Sequence, residues 1–167
     1  MEFDVIQGDI AAQSANAIIN AAGTSLQMGS GVAGALRRRA GPEINEEAVS
    51  KGPVDLGEVA VTDASDLEAE YVIHAAAMPH YGDGNATETS IREATRNSLE
   101  RADELDCRSL VLPALGCGVA GFALERGAEI VGETIAEYEP STLEDVRFIA
   151  YSDEEYETIR SAVEGLE

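Results

Sequence analysis

The segment Ala17-Ile18-Ile19-Asn20-Ala21-Ala22, followed after a short loop by Gly29-Ser30-Gly31-Val32-Ala33-Gly34, decides the fold class of this 167-residue chain. A short, nearly unbroken apolar run reads as a strand covered on both faces. A glycine-rich turn after such a strand, leading into an amphipathic stretch, is the strand-to-helix connection of an α/β layered domain. The arrangement occurs again as Leu110-Val111-Leu112-Pro113-Ala114-Leu115 and Gly116-Cys117-Gly118-Val119-Ala120-Gly121, and the two hexapeptides agree at five of six positions. Both apolar runs should therefore lie at the centre of one sheet.

The central strands are expected at Ala17–Ala22 and Ser109–Leu115, with others at Phe3–Gln7, Glu58–Thr62, Tyr71–Ala75 and Val146–Tyr151. Ser90 and Glu93 have the spacing of a capping box. Beyond it Ile91, Ala94, Ser98, Leu99, Ala102 and Leu105 keep the ~3.6-residue helical period. Leu124, Ala128, Val131 and Ile135 form a second apolar stripe. Ser152 with Glu155 caps a last helix whose Tyr156, Ile159, Val163 and Leu166 face inward. A shorter helix runs from about Val32 to Arg39, and Pro42 restarts the chain into a further turn through Val49. Nothing in composition divides the chain, so residues 1–167 read as one domain.

A hydrophobic content of 44% mixed with 26% charged residues describes a chain that folds. Eleven basic residues against 32 acidic ones give a net charge of −21, which excludes sequence-independent binding to duplex nucleic acid. Lys51 is the only lysine. Acidic residues occupy every charged stretch rather than one tail, as in a coat suited to high salt; an ordinary acidic cytosolic protein is the alternative. There is no basic-then-apolar leader and no apolar run of about 18 residues, so a cytoplasmic protein without membrane contact is expected. Cys107, Cys117, His74 and His80 lack metal-ligand spacing, and neither a metal nor a cofactor is expected.

Each glycine hexapeptide offers unhindered backbone N–H groups at a helix N-terminus, which suits phosphate. Neither continues into Gly-Lys-Ser/Thr, which speaks against nucleoside triphosphate hydrolysis through a P-loop. A dinucleotide fingerprint needs its glycines directly after the strand and an acid ~20 residues later. Here Thr24 to Met28 intervene and the stretch after Arg39 reads as helix. Two loops flanking one diphosphate fit best, with close packing and no ligand as the other reading.

Gln7-Gly8-Asp9-Ile10, the run Asn16 to Ala22, the first glycine loop, Gly57-Glu58-Val59-Ala60-Val61-Thr62, Tyr71-Val72-Ile73-His74 and Pro113 to Gly118 come in this order. Together they resemble the macrodomain family over essentially the whole chain. The resemblance implies a three-layer α/β/α sandwich with a central six-stranded mixed sheet. It also implies a cleft at the strand ends that binds ADP-ribose, free or as an ADP-ribosylated protein. Some members hydrolyse ADP-ribosyl esters, O-acetyl-ADP-ribose or ADP-ribose 1″-phosphate. Combined with the acidic coat, the resemblance points to a halophilic archaeal source.

Carried over by position, Asp9 and Ile10 match the turn beside the adenine, and Asn16 the position that accepts from the adenine amino group. Tyr151 matches an aromatic residue that stacks on adenine, a Tyr packed at a strand end being the alternative. Gly29, Ser30, Gly31 and Val32 match one diphosphate loop, and Gly116, Cys117, Gly118, Val119 and Ala120 the other. Asn20 matches an asparagine near the distal ribose and is the candidate catalytic residue. Gly23, Ala33 and Ala120 replace family side chains that would orient water, and glycine or a methyl group cannot act as a base. The favoured reading is a binding module, ahead of a slow ADP-ribosyl hydrolase, deacetylase or 1″-phosphatase, and then an NAD-dependent oxidoreductase.

Cys117 reads as a small structural residue, although a helix N-terminus can lower a thiol pKa. His74 reads as a strand-end hydrogen-bonding residue, and His80 lies in a polar loop that could border the distal ribose. Arg37-Arg38-Arg39, the sole basic cluster, reads as closing its helix against the negative end of the dipole, with phosphate or acidic-peptide capture as the alternative.

Overall fold

In a computed structural model that describes residues 1–80, 83–118 and 121–166, six strands form one sheet in the order β1-β6-β5-β2-β4-β3. The strands are β1 (Glu2–Gln7), β2 (Ala17–Gly23), β3 (Val59–Asp63), β4 (Tyr71–Met78), β5 (Ser109–Leu112) and β6 (Asp145–Ala150). The helices are α1 (Gly31–Ala40), α2 (Glu43–Ser50), α3 (Glu88–Glu104), α4 (Leu124–Glu137) and α5 (Asp153–Ala162), with a 3-10 turn at Ile10–Ala12. All neighbouring strands pair parallel except β3, which runs antiparallel to β4 on the edge.

The two apolar runs, β2 and β5, are the central pair, as their composition requires. Successive side chains leave a strand on opposite faces. Ile18, Val72, Val111 and Ile149 therefore pack with Leu36 of α1 and Ile44 of α2 on one side. Ile19, Ile73, Leu110, Leu112 and Phe148 pack with Ile91 and Leu99 of α3, Ile130 and Val131 of α4, and Ile159 of α5 on the other. Three layers result. Each such side chain contributes roughly 1.5–3 kcal/mol by leaving water.

Several boundaries differ from expectation by one residue and three by about three residues; β4 runs on to Met78 rather than ending at Ala75. β5 ends at Leu112 rather than Leu115, because Pro113 has no N–H to continue the ladder. α3 begins one turn earlier than the Ser90–Glu93 pair suggests: Thr87 is the N-cap, and its hydroxyl accepts from Ser90 N. Ser90 is the third helical residue, and its buried Oγ accepts from Thr87 N at 2.9 Å and donates to Ala77 O at 2.6 Å. That second bond ties the helix start to β4. The Ser152 cap of α5 is present, accepting from Glu155 N at 3.1 Å.

The five parallel strands all end at one edge of the sheet. The loops that leave them converge there, which makes that edge the place to seek a ligand.

Candidate functional site

A cleft of about 720 Å³ opens at this edge. Gly8, Asp9 and Ile10 line it after β1, Ala21 and Ala22 from β2, and Met78 from β4. Pro113, Ala114, Gly116, Cys117 and Gly118 contribute after β5, and Ile149, Ala150 and Tyr151 at the end of β6. Helix α1 adds Ser30, Gly31, Val32, Ala35 and Arg38, α4 adds Leu124 and α5 adds Glu155.

The rim at the end of β1 and β6 is built from held polar groups. Asp9 accepts from Ala11 N at 2.9 Å, which fixes its carboxylate at the start of the 3-10 turn. Tyr151 leaves 76% of its surface exposed beside the cleft. Its N–H donates to Glu155 Oε1 at 3.2 Å and its carbonyl accepts from Gln7 Nε2 at 3.5 Å, so its backbone is pinned while the ring stays open.

Two of the helices that start at the cleft, α1 and α4, lack side-chain caps. Ser30 at the N-cap of α1 makes no capping bond with its hydroxyl, and Ala123 at the N-cap of α4 has no group to do so. The 3-10 turn, α3 and α5 are capped by Asp9, Thr87 and Ser152, whereas α2 starts uncapped behind Pro42 and does not line the cleft. First-turn N–H groups without an intrahelical partner carry the positive end of the helix dipole and suit an anion. Gly31 and Gly118 have φ of +63° and +78°, and a Cβ added to either would meet no heavy atom of the described residues within 4 Å. Both loops thus leave room for a ligand to approach the backbone.

Several expected site residues stand elsewhere. Asn16 precedes β2 and lies at the opposite end of that strand from Ala21 and Ala22, roughly 20 Å of extended chain away. Its Oδ1 accepts from Arg108 N at 2.8 Å and Ser109 N at 3.1 Å, and its amide donates to Glu70 Oε1 at 2.8 Å. It locks the start of β2 to the start of β5 and does not touch the cleft. Gly29 is also absent from the lining, and its carbonyl turns toward Gly34 inside α1. Val119 and Ala120 lie outside the described residues.

Asn20, the expected catalytic residue, is fully buried and does not line the cleft. Its Nδ2 donates to His74 Nδ1 at 3.0 Å, which places the ring proton on Nε2, 2.9 Å from Thr62 Oγ1. Neighbouring strands β2, β4 and β3 each supply one member of this row. Burial, with Lys51 adding a smaller effect, pushes the His74 pKa down to about 4, so the ring is neutral. Among the described residues Asn20 Oδ1 has no hydrogen-bond partner.

The replaced positions also point away from water activation. Ala33 is buried in the core with Ile18 and Leu36, and a Cβ on Gly23 would lie 3.1 Å from Pro79 O. His80 is exposed and is not among the lining residues. The Cys117 thiol is pushed up to about 11 by burial and by Glu155. Its sulfur lies 3.7 Å from Leu115 O and packs toward Gly127 of α4. It is a protonated packing residue. Among the described residues no group of three His, Cys, Asp or Glu could hold a metal, and no helix is long and apolar enough to cross a membrane.

Sequence reasoning missed Arg38, Ala35, Glu155 and Met78 as lining residues. Arg38 lies seven residues beyond Gly31 and Ala35 four, so one helical face carries all of them, a signal that the period alone contains. Glu155 was visible as a capping partner of Ser152 but not as part of a cleft. Met78 was hidden because β4 extends beyond Ala75.

A family model described as Macro domain matches residues 19–131. An uncharacterized protein of Saccharolobus solfataricus is 41% identical over 165 residues, spanning 96% of this chain and 92% of that one. An uncharacterized protein of Mycobacterium tuberculosis is 39% identical over 99% of this chain, which spans only 45% of its length. A macrodomain mutant of Oceanobacillus iheyensis solved with ADPR superposes with a TM-score of 0.87 at 26% identity, covering 97% of this chain and 91% of that one. The Trypanosoma brucei macrodomain in complex with ADP-ribose gives 0.84 at 29% identity, over 95% and 68% of the two chains. These bacterial, archaeal and eukaryotic sources do not support the expected halophilic archaeal origin.

Proposed function

The chain belongs to the macro domain family, and on that premise we propose that it binds ADP-ribose, free or as a mono-ADP-ribosyl group on a protein. The observation that carries this reading is the convergence of both glycine loops on one cleft at the parallel strand ends. The adenine rests between Asp9, Ile10 and the open ring of Tyr151. The diphosphate lies across Gly31–Val32 and Gly116–Gly118, held by N–H groups that need no lysine.

Binding is favoured over hydrolysis, deacetylation or dephosphorylation. Asn20 sits behind β2 in the row with His74 and Thr62, and the Cys117 thiol is protonated at neutral pH. The other titratable side chains among the described lining residues are Asp9, Glu155, Tyr151 and Arg38. A nicotinamide-dependent oxidoreductase has no comparable support, since Thr24 to Met28 separate the first loop from β2 and the acids Glu46 and Glu47 that follow lie within α2 rather than at the tip of a next strand.

The acidic coat fits a protein that works in high salt, because its field repels ADP-ribose most strongly when screening is weak. Calorimetry with ADP-ribose, NAD and AMP at several salt concentrations tests the reading. Expected are a preference for ADP-ribose and an affinity that rises from low to moderate salt. Absence of ADP-ribose binding wherever the fold persists would sink it, and preference for NAD would favour the oxidoreductase.

A further inference from the structure

The arginine cluster at the end of α1 does not act as a unit. All three side chains lie in the last turn of the helix, where its dipole is negative. Arg37 bends away from that end: its Nη1 donates to Met28 O at 3.1 Å and braces the loop ahead of α1. Arg39 is exposed and does not line the cleft. Arg38 does line it.

The path of Arg38 is set by a glycine one turn back. Arg38 Nη1 lies 3.3 Å from the point a Cβ on Gly34 would occupy, and Gly29 O lies 2.8 Å from the same point. The guanidinium therefore lies back along α1 toward the first glycine loop, the direction long helical side chains prefer. Among the described residues it makes no hydrogen bond or ion pair, although 32 carboxylates surround 11 cations in this chain. Among the described lining residues it is the only Arg or Lys, facing a cleft that also carries Asp9 and Glu155. Helix α1 packs against the 3-10 turn after Asp9, so the helix that carries Arg38 and Ala35 borders the end of the cleft where Asp9 and Ile10 lie.

We propose that Arg38 is an anion-binding residue of the cleft that takes a phosphate on the adenosine half of the ligand. This rests on reading the cleft as an ADP-ribose site. Backbone N–H groups supply only partial charges. A guanidinium adds a full positive charge and a planar fork matched to phosphate oxygens. The phosphate is either the adenosine-side member of the diphosphate or an additional one on the adenosine ribose. Both present anionic phosphate oxygens to the same side chain.

The test is calorimetry of the unaltered chain and of Arg38→Ala, Arg38→Lys and Arg39→Ala with adenosine, AMP, ADP-ribose and ADP-ribose bearing a 2′-phosphate. Thermal melts confirm that each variant folds. Arg38→Ala should weaken the anion it meets about tenfold, AMP and ADP-ribose if that is the diphosphate and the 2′-phosphorylated ligand alone if it is the ribose phosphate, the scale of one charge-assisted contact at a partly exposed site, and leave adenosine within about twofold. Lysine should restore part of the loss, and Arg39→Ala should change little. A larger loss for the 2′-phosphorylated ligand than for ADP-ribose assigns Arg38 to the ribose phosphate, and an equal loss assigns it to the diphosphate. No effect on AMP, ADP-ribose or the 2′-phosphorylated ligand, or a loss for adenosine as large as for all three, would overturn the role of Arg38 while leaving the cleft intact as a binding site. No ADP-ribose binding by the unaltered chain would overturn both.

Discussion

Gly29-Ser30-Gly31-Val32-Ala33-Gly34 and Gly116-Cys117-Gly118-Val119-Ala120-Gly121 differ at one residue, yet the chain uses them differently. In the first, the helix begins at Gly31, and Gly34 lies inside it with normal helical φ. In the second, Gly116, Gly118 and Gly121 have φ of +78°, +78° and +80°, Phe122 N donates to Gly116 O, and α4 waits until Leu124. The residues downstream of each segment explain the split. Ala35-Leu36-Arg37-Arg38-Arg39 is a run of good helix formers. After the second segment the chain must instead turn past α3, whose Ile91 packs on Gly116, while Asn85 packs on Gly121. Only the middle glycines, Gly31 and Gly118, agree: both have positive φ, both have room for a Cβ among the described residues and both line the cleft. The repeat therefore preserves a cleft-facing backbone point, and the outer glycines answer to local packing.

The largest effect is expected at Gly116. A Cβ there would lie 2.7 Å from Ile91 Cγ1 and 2.8 Å from Ala86 Cβ, with Ile91 fully buried. Overpacking and a left-handed φ act together, so Gly116→Ala should destabilise the fold by about 3 kcal/mol. Melting should fall by roughly 10 °C in a chain of this size. An unchanged melt would mean that α3 yields freely and that the second loop is not held by packing.

Gly118→Glu tests the shared point. The site is open, so the fold should survive with a loss of about 1 kcal/mol for the left-handed residue. A carboxylate placed where the proposed site puts the diphosphate should weaken ADP-ribose by more than about a hundredfold, through lost N–H contacts and like charge. Retained affinity would show that only the first loop meets the ligand.

The sheet was legible because its signal is physical and local. Runs such as Ala17 to Ala22 and Leu110 to Leu112 have no polar face to turn outward, so a central position was the one available. The start of α3 was less legible because Thr87, Ser90 and Glu93 offer two overlapping caps, and the choice between them comes from the Ser90 bond to Ala77, a contact across the fold. The site divided in the same way. Asp9, Ile10, Tyr151 and the middle glycines come after parallel strands or start helices, so direction alone brings them to one edge. Asn16 directly precedes β2, so direction alone puts it at the strand's starting end, away from the edge where the parallel strands finish, and the match by position ran against that signal. Asn20 was misread because its neighbours in sequence do not reveal His74 and Thr62 across the sheet.

The smallest expected effect sharpens the comparison most, because it sets the same substitution at the matching position of the other loop. Gly29 corresponds to Gly116, but its φ is not left-handed and a Cβ there would meet no atom within 4 Å. It also does not line the cleft. Gly29→Ala should therefore change stability by no more than about 0.5 kcal/mol and leave ADP-ribose affinity within about twofold, measured by melting and calorimetry. If Gly29→Ala were as damaging as Gly116→Ala, the two hexapeptides would be equivalent after all, and the packing of Ile91 and Ala86 would not be what separates them. If it were harmless to the fold but removed binding, the first loop would meet the diphosphate one residue earlier than Ser30.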